Sequence, residues 1–302
     1  MGEKEYPNAS ARFRDLMKKD EIIVMPGCYD PLSAQLIEKA GFPATFMTGG
    51  GVSRSYCFPD VGLLTMTEMV TTLRNIVSAV TIPVIADADT GYGNAINVMR
   101  AVREFEATRA AGIFIEDQET PKKCGKYPGI QLLPLKDMVN KIKGALKARL
   151  DPNFLLIARV MQTRLEGVDG MIARGKAYAE AGADVVMVRG MKTAEEHEQV
   201  AGIFGVPVML TFPQLQTPNL DLSIIPGIQT VQDLEKMGFK AVIFASVPQR
   251  AAMKGMMEVL ACLKRDGSTE GCRDLMVTFR DREELIGLGD IQELEQELVD
   301  KK

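Results

Sequence analysis

The feature that most constrains this 302-residue chain is a set of eight short apolar runs, most of them followed by a stretch with helical periodicity. The runs are residues 22–24, 44–48, 84–87, 112–116, 154–159, 185–189, 206–211 and 241–245. They are rich in Val, Ile and Phe and too continuous for strands with one solvent face. Amphipathic stretches lie between them at 30–40, 64–77, 95–111, 136–149, 170–181 and 194–204. Three of these close on Ala40-Gly41, Ala111-Gly112 and Ala181-Gly182, and a glycine just past a helix takes the left-handed cap conformation cheaply. The alternation predicts an α/β fold. Eight units favour a (β/α)8 TIM-type barrel over residues 1–267, with an open sheet as the alternative that periodicity alone leaves. Residues 268–302 lie beyond the eighth unit, with charged helical runs at 280–286 and 291–300 that need a surface to pack on. Gly49-Gly50-Gly51 follows the second run but lacks the spacing of a dinucleotide or P-loop fingerprint.

Composition removes several classes of function. A net charge of −4 argues against a nucleic-acid partner, which needs a basic face. No run of about 18 apolar residues is present, so no membrane span is expected. The opening Met1-Gly2-Glu3-Lys4-Glu5-Tyr6 lacks the apolar core of a signal peptide. Five cysteines at scattered spacings, without a CxxC, argue against a disulfide framework or thiolate zinc site and fit a reducing, cytoplasmic setting. His197 is the only histidine, which excludes Ser-His-Asp triads, Cys-His dyads and HExxH zinc sites. It is expected on the solvent face of its helix. Acid–base chemistry must then use carboxylates, Lys, Tyr, Cys or metal-bound water.

Catalytic groups of a barrel sit at the C-terminal ends of its strands. The third run ends in Asp87-Ala88-Asp89 and the fourth in Glu116-Asp117. Carboxylates two apart on an extended strand point the same way, and clustered carboxylates are relieved by a hard cation, Mg2+ or Mn2+, or by raised pKa values. A helix cap or Asx turn is the plainer reading of Asp87 and Asp89. Thr48-Gly49-Gly50-Gly51 can offer backbone N–H groups to an anion, or can be a tight turn. Lys122, Lys123 and Lys126 flank Cys124 in a Gly/Pro-bounded loop. Cationic neighbours favour a thiolate, and such a loop can act as a gate and proton donor or be an ordinary surface loop. The other four cysteines read as small apolar fillers. Arg159 and Arg189 end the fifth and sixth runs, where a cation calls for an anionic partner.

Several segments together resemble the isocitrate lyase/phosphoenolpyruvate mutase superfamily, in its methylisocitrate lyase and dialkylmalate lyase branch. They are Pro26-Gly27 with Asp30 and Ser33-Ala34, Thr48-Gly49-Gly50-Gly51-Val52, Pro59-Asp60-Val61-Gly62, residues 87–93, Ile115-Glu116-Asp117-Gln118, Lys122-Lys123-Cys124-Gly125, Ala158-Arg159 and residues 179–184. The resemblance implies Asp87 as direct metal ligand, with Asp89 and Glu116 acting mostly through water and Asp60 completing the acidic shell. It implies that Thr48, Gly49 and Gly50, with Phe46 before them, hold the 2-oxo or 2-hydroxy acid end of a small carboxylic acid. Lys122 and Arg159 would offset charge, and Cys124 would protonate a departing enolate carbon. It also implies a homotetramer with the last helix exchanged between barrels.

The chain departs from the branch where the rest of the substrate would bind. Lys126 stands for a His, Val160-Met161 for Thr-Asp, Arg189 for a Glu, and Thr211-Phe212-Pro213-Gln214 for Asn-x-Thr-Glu. Arg189 and Lys126 become candidate substrate contacts, and Met161 and Phe212 are expected to make the pocket more apolar. The implied activity is a Mg2+-dependent carbon–carbon lyase of altered substrate range. A decarboxylase, hydrolase or phosphonomutase using the same enolate is the alternative, as is a non-catalytic metabolite-binding homologue.

Overall fold

The structure is a computed structural model that describes residues 8–125, 127–161, 163–212, 215–217, 220–223 and 225–299. Its strands are β1 (Ile23–Cys28), β2 (Thr45–Met47), β3 (Val84–Asp87), β4 (Gly112–Glu116), β5 (Leu155–Met161), β6 (Val185–Arg189), β7 (Val208–Thr211), a small antiparallel pair β8 (Leu215–Thr217) and β9 (Leu220–Ser223), and β10 (Ala241–Phe244). Eight of them close into a parallel barrel in the order β1-β10-β7-β6-β5-β4-β3-β2. The fold is therefore the (β/α)8 barrel, not the open sheet. β1 runs four residues past its expected end, through Pro26 and Gly27. Both read as breakers in sequence, but the closed sheet keeps them extended, with Pro26 opposite Phe244 and its carbonyl accepting from Thr45 Oγ1 at 2.9 Å.

The helices around the barrel are α1 (Ala9–Lys18), α2 (Pro31–Lys39), α3 (Gly49–Ser55), α4 (Met66–Ala79), α5 (Ala95–Glu106), α6 (Leu135–Ala148), α7 (Thr163–Glu180), α8 (Ala194–Val200) and α9 (Val231–Met237). Side-chain caps fix the starts of most of them, α6 after Pro134 being an exception. Thr65 accepts from the Glu68 N–H while Glu68 returns to the Thr65 N–H, and Asn94 and Asn97 do the same for α5. Gly41 and Gly182 lie just past α2 and α7 in the left-handed region. Gly112 does not serve α5 in this way. α5 stops at Glu106, and Arg109 takes the left-handed conformation instead (φ 68°). Gly112 lies inside β4, where a Cβ would meet the Leu155 carbonyl oxygen at 2.5 Å. Among the described residues no helix is long and apolar enough to cross a membrane.

Two cores result from the alternation of side chains along each strand. Met25, Phe46, Ile85, Phe114, Ile157, Met187, Met209 and Ile243 fill the barrel. Phe13 of α1, fully buried, joins Ile23, Ala111, Leu155 and Val185 at the N-terminal strand ends and closes that end. Residues of opposite parity, such as Ala86, Ile115, Val160, Val188 and Leu210, pack outward against the helices.

Residues from Val247 form a second compact unit. It contains α10 (Val247–Asp266), a 3-10 turn (Glu270–Leu275), α11 (Phe279–Leu285) and α12 (Leu288–Leu298). Cys262 and Cys272 are both buried within it, where their thiols donate to the Ser268 carbonyl at 3.7 Å and the Thr269 carbonyl at 3.4 Å. This unit also leaves large apolar side chains exposed, among them Met256, Met257, Leu260 and Phe279.

Candidate active site

Two residues beyond each inner-core position, the strands present a ring at the C-terminal mouth of the barrel. It comprises Gly27, Thr48, Asp87, Glu116, Arg159, Arg189, Thr211 and Ala245. Parity therefore turns all the strand-end candidates inward together, except Asp117. The ring closes tightly between β1 and β10, where a Cβ on Gly27 would sit 2.3 Å from the Ala245 carbonyl oxygen.

One arc of the ring is acidic. Asp87 has no cationic partner within ion-pair distance among the described residues. Its two oxygens accept the N–H groups of Gly49 at 3.2 Å and Asp89 at 2.9 Å. Burial, then the charge of Asp89, push the Asp87 carboxyl up to about 7. Lys122, buried, lies 2.6 Å from Asp60 Oδ1 and 2.7 Å from Asp89 Oδ1. Burial opposes the charge on Lys122, but Asp89, Asp87, Asp60 and Glu116 outweigh it and hold its pKa well above the ordinary value. Asp60 is lowered because Lys122, together with Arg54 and Arg159, overcomes its burial. Glu116 accepts from Gln118 at 2.7 Å and is raised by burial, although Arg159 and Lys122 counter it.

This arc fits a hard divalent cation. Of its four carboxylates, Asp60, Asp87, Asp89 and Glu116, all but Asp87 are in direct ion contact with Lys122 or Arg159. No thiol or imidazole joins them, which disfavours softer metals. Among the described residues no three such groups converge closely enough to enclose an ion unaided. Mg2+ commonly binds through one or two carboxylates and retains several waters, and Asp87 is the group best placed for direct contact.

The next arc is basic. Arg159 Nη1 lies 3.3 Å from Glu116 Oε2, and its guanidinium covers the Phe114 ring at 5.2 Å. Arg189, half-buried, ends β6 beside it. The loop after β4 covers this side. The Cys124 N–H donates to the Asp60 carbonyl at 2.9 Å, and the Lys123 N–H to Gln118 Oε1 at 3.0 Å. Gly125 meets both Met161 and Arg189, since a Cβ there would lie 3.1 Å from Met161 Cε and 3.4 Å from Arg189 Cζ.

Several residues are placed differently from the sequence expectation. Asp117 points outward, away from the acidic arc. It accepts from the Met161 N–H and the Tyr178 hydroxyl, both at 2.8 Å, with Arg174 at 3.6 Å, so it braces the end of β5. Gly49-Gly50-Gly51 is the first turn of α3 rather than an open loop. Gly49 N–H is taken by Asp87, and Gly51 N–H by the capping Thr48 Oγ1. Phe46 lies one layer below the mouth, stacked on Phe114 at 5.2 Å, so it is floor rather than rim. Phe212 stacks on Phe244 at 4.7 Å and packs against the outer core, whereas Met161 does face the mouth. His197 is buried, with Nδ1 2.6 Å from the Thr193 carbonyl and its ring edge-on to Phe239. Lys126, Pro213 and Gln214 lie outside the described residues. Tyr92 was not foreseen. Its buried hydroxyl has no hydrogen-bond partner among the described residues, and burial, then Asp89 and Asp87, hold its proton firmly. Only its position within Asp87-to-Gly93 could have pointed to it.

The site's relatives handle small carboxylic acids. 2,3-Dimethylmalate lyase of Eubacterium barkeri is 40% identical over 95% of this chain and 97% of its own length. 2-Methylisocitrate lyase of Aeropyrum pernix is 36% identical over 95% of this chain and 90% of its own. Phosphonopyruvate hydrolase, solved in complex with oxalate and Mg2+, superposes with a TM-score of 0.84 at 30% identity, covering 97% of this chain and 99% of that one. Residues 13–264 match phosphoenolpyruvate phosphomutase, and with relatives this similar over nearly its whole length the chain belongs to the phosphoenolpyruvate phosphomutase family.

Proposed function

We propose that this protein is a Mg2+-dependent carbon–carbon lyase that cleaves a 2-hydroxy di- or tricarboxylate into a 2-oxo acid and a carboxylate. The observation that carries this reading is the docking of the Lys122–Cys124 segment on the acidic arc, through the Lys122 ion pairs and the Cys124 N–H, which brings a half-buried thiol to the mouth. Asp87 would hold the cation, with Asp89, Glu116 and Asp60 around it through water. When bound, the cation would supply positive charge against the developing enolate. Thr48, Gly49 and Gly50 would hold the 2-oxo end, and Lys122 would offset the negative charge of the surrounding carboxylates. The substrate hydroxyl loses its proton to water, the carbon–carbon electron pair stays with the carboxylate fragment, and Cys124 delivers a proton to that carbon and is reprotonated from water. Its lyase relatives support the reaction class.

Arg189 and Met161 at the mouth support a substrate range different from that of methylisocitrate cleavage. The test is a panel of 2-hydroxy di- and tricarboxylates and phosphonates with Mg2+, read by release of 2-oxo acid. Turnover of methylisocitrate at an ordinary lyase rate would refute the altered range. Cys124→Ala should lower turnover by about 10²–10⁴-fold, the usual worth of a positioned acid, without lowering the melting temperature. Full activity in that variant would favour a hydrolase or decarboxylase.

The assembly belongs to the same reading. Exposed apolar side chains on α10 to α12 support a homotetramer in which the C-terminal segment 268–302 packs on a neighbouring subunit. The five free cysteines support a reducing, cytoplasmic setting.

A further inference from the structure

Arg159 lies two residues before the end of β5 and Arg189 ends the adjacent β6, and the register sets Arg159 beside Met187 and Met161 beside Arg189. Each guanidinium stands two residues above an inner-core side chain, so both face the mouth. Their situations differ. Arg159 is balanced by Glu116, yet its Nε is buried without a hydrogen-bond partner among the described residues. Arg189 forms no ion pair with a carboxylate among the described residues, and Arg159, rather than an anion, is the charge that acts on it most strongly. Gly125 closes against it from above. A positive group held this way, next to a second guanidinium with an unused donor, lacks an anion that the chain itself does not supply.

We propose that Arg189, together with Arg159 Nε, binds the substrate carboxylate attached to the carbon that Cys124 protonates, which makes the enzyme selective for 2-hydroxy dicarboxylates over acids whose far end is neutral. The identity of that carbon rests on the lyase reading, while the second carboxylate site does not. Before cleavage the fragment carries one negative charge. As the bond breaks, its electron pair delocalises onto the carboxylate and the fragment carries two, until the Cys124 proton arrives. Glu116 already offsets Arg159, so Arg189 supplies the additional positive charge. Gly125, the residue that follows Cys124, lies against Arg189, which puts the proton donor on the same side.

The experiment is calorimetric titration in saturating Mg2+ with 2,3-dimethylmalate, its 4-carboxamide and oxalate, in a Cys124→Ala background that suppresses turnover. The diacid should bind at least about tenfold more tightly than the amide, the usual worth of a hydrogen bond to a charged group. Arg189→Gln should erase that preference while leaving oxalate affinity unchanged, and Arg189→Lys should restore part of it. Equal binding of diacid and amide by the parent protein would overturn the inference. So would an Arg189→Gln variant that keeps the preference or loses oxalate in equal measure. The lyase reading is scored separately, by 2-oxo acid release from the protein with Cys124 intact. Arg189-dependent binding without such release would sink the lyase and leave the carboxylate site standing.

Discussion

At the scale of the residue, Lys122 and Asp87 divide the electrostatics of the mouth between them. Lys122 lies within ion-pair distance of both Asp60 and Asp89, so Lys122→Met removes the cation next to two buried carboxylates. Losing one partner of a buried pair typically costs about 3–5 kcal/mol, and cation-free protein should melt correspondingly lower by calorimetry, with Mg2+ recovering part of the loss. Asp87 has the opposite problem. Its folded pKa is raised, to about 7 from the ordinary 3.8, so between those values the folded state holds a proton that the unfolded chain has released. Stability from this group is present at low pH and declines as pH rises through that window. Mg2+ should therefore raise the melting temperature more at pH 8 than at pH 6, and equal shifts at both would rule out Asp87 as the cation's direct ligand. The placement of Asp87, Glu116 and Arg159 at the mouth was legible from sequence because such types are costly to place at strand ends by chance. The outward turn of Asp117 was not, since two adjacent acids look alike until strand parity is fixed. Nor was the burial of His197, because α8 is too short for its pattern to choose a face.

At the scale of the element, strand ends approach so closely that side chains are excluded. The eight apolar runs made the barrel readable, but where β1 ends was hidden by Pro26 and Gly27, whose extended conformation depends on the neighbouring strands. Gly27→Ala would push a methyl group into the Ala245 carbonyl and should destabilise by about 1–3 kcal/mol, read as a lower urea midpoint at unchanged slope. Gly49→Ala acts differently. Its Cβ would lie 2.5 Å from Asp87 Oδ2, displacing the carboxylate, so Mg2+ affinity should fall more than stability does. α1 carries no strand-like or motif signal, yet Phe13 closes the barrel floor.

At the scale of the whole molecule, the C-terminal unit leaves a row of α10 side chains uncovered, with Met257 at 65% and Leu260 at 63% exposure. In a tetramer built on this surface, Met257→Glu with Leu260→Glu should shift the sedimentation coefficient toward that of a smaller species. An unchanged coefficient would place the subunit contact elsewhere. The loop that carries Cys124 is tied to the barrel through Asp60, by the Lys122 ammonium and by the Cys124 N–H. Asp60 also belongs to the carboxylate group that would attract a cation. Loop position and cation occupancy are therefore not independent variables, and whatever loop closure does to the affinity for the ion, the ion must do equally to loop closure. The mouth would then sense its own loading, and chelation would shift the cover as well as empty the seat.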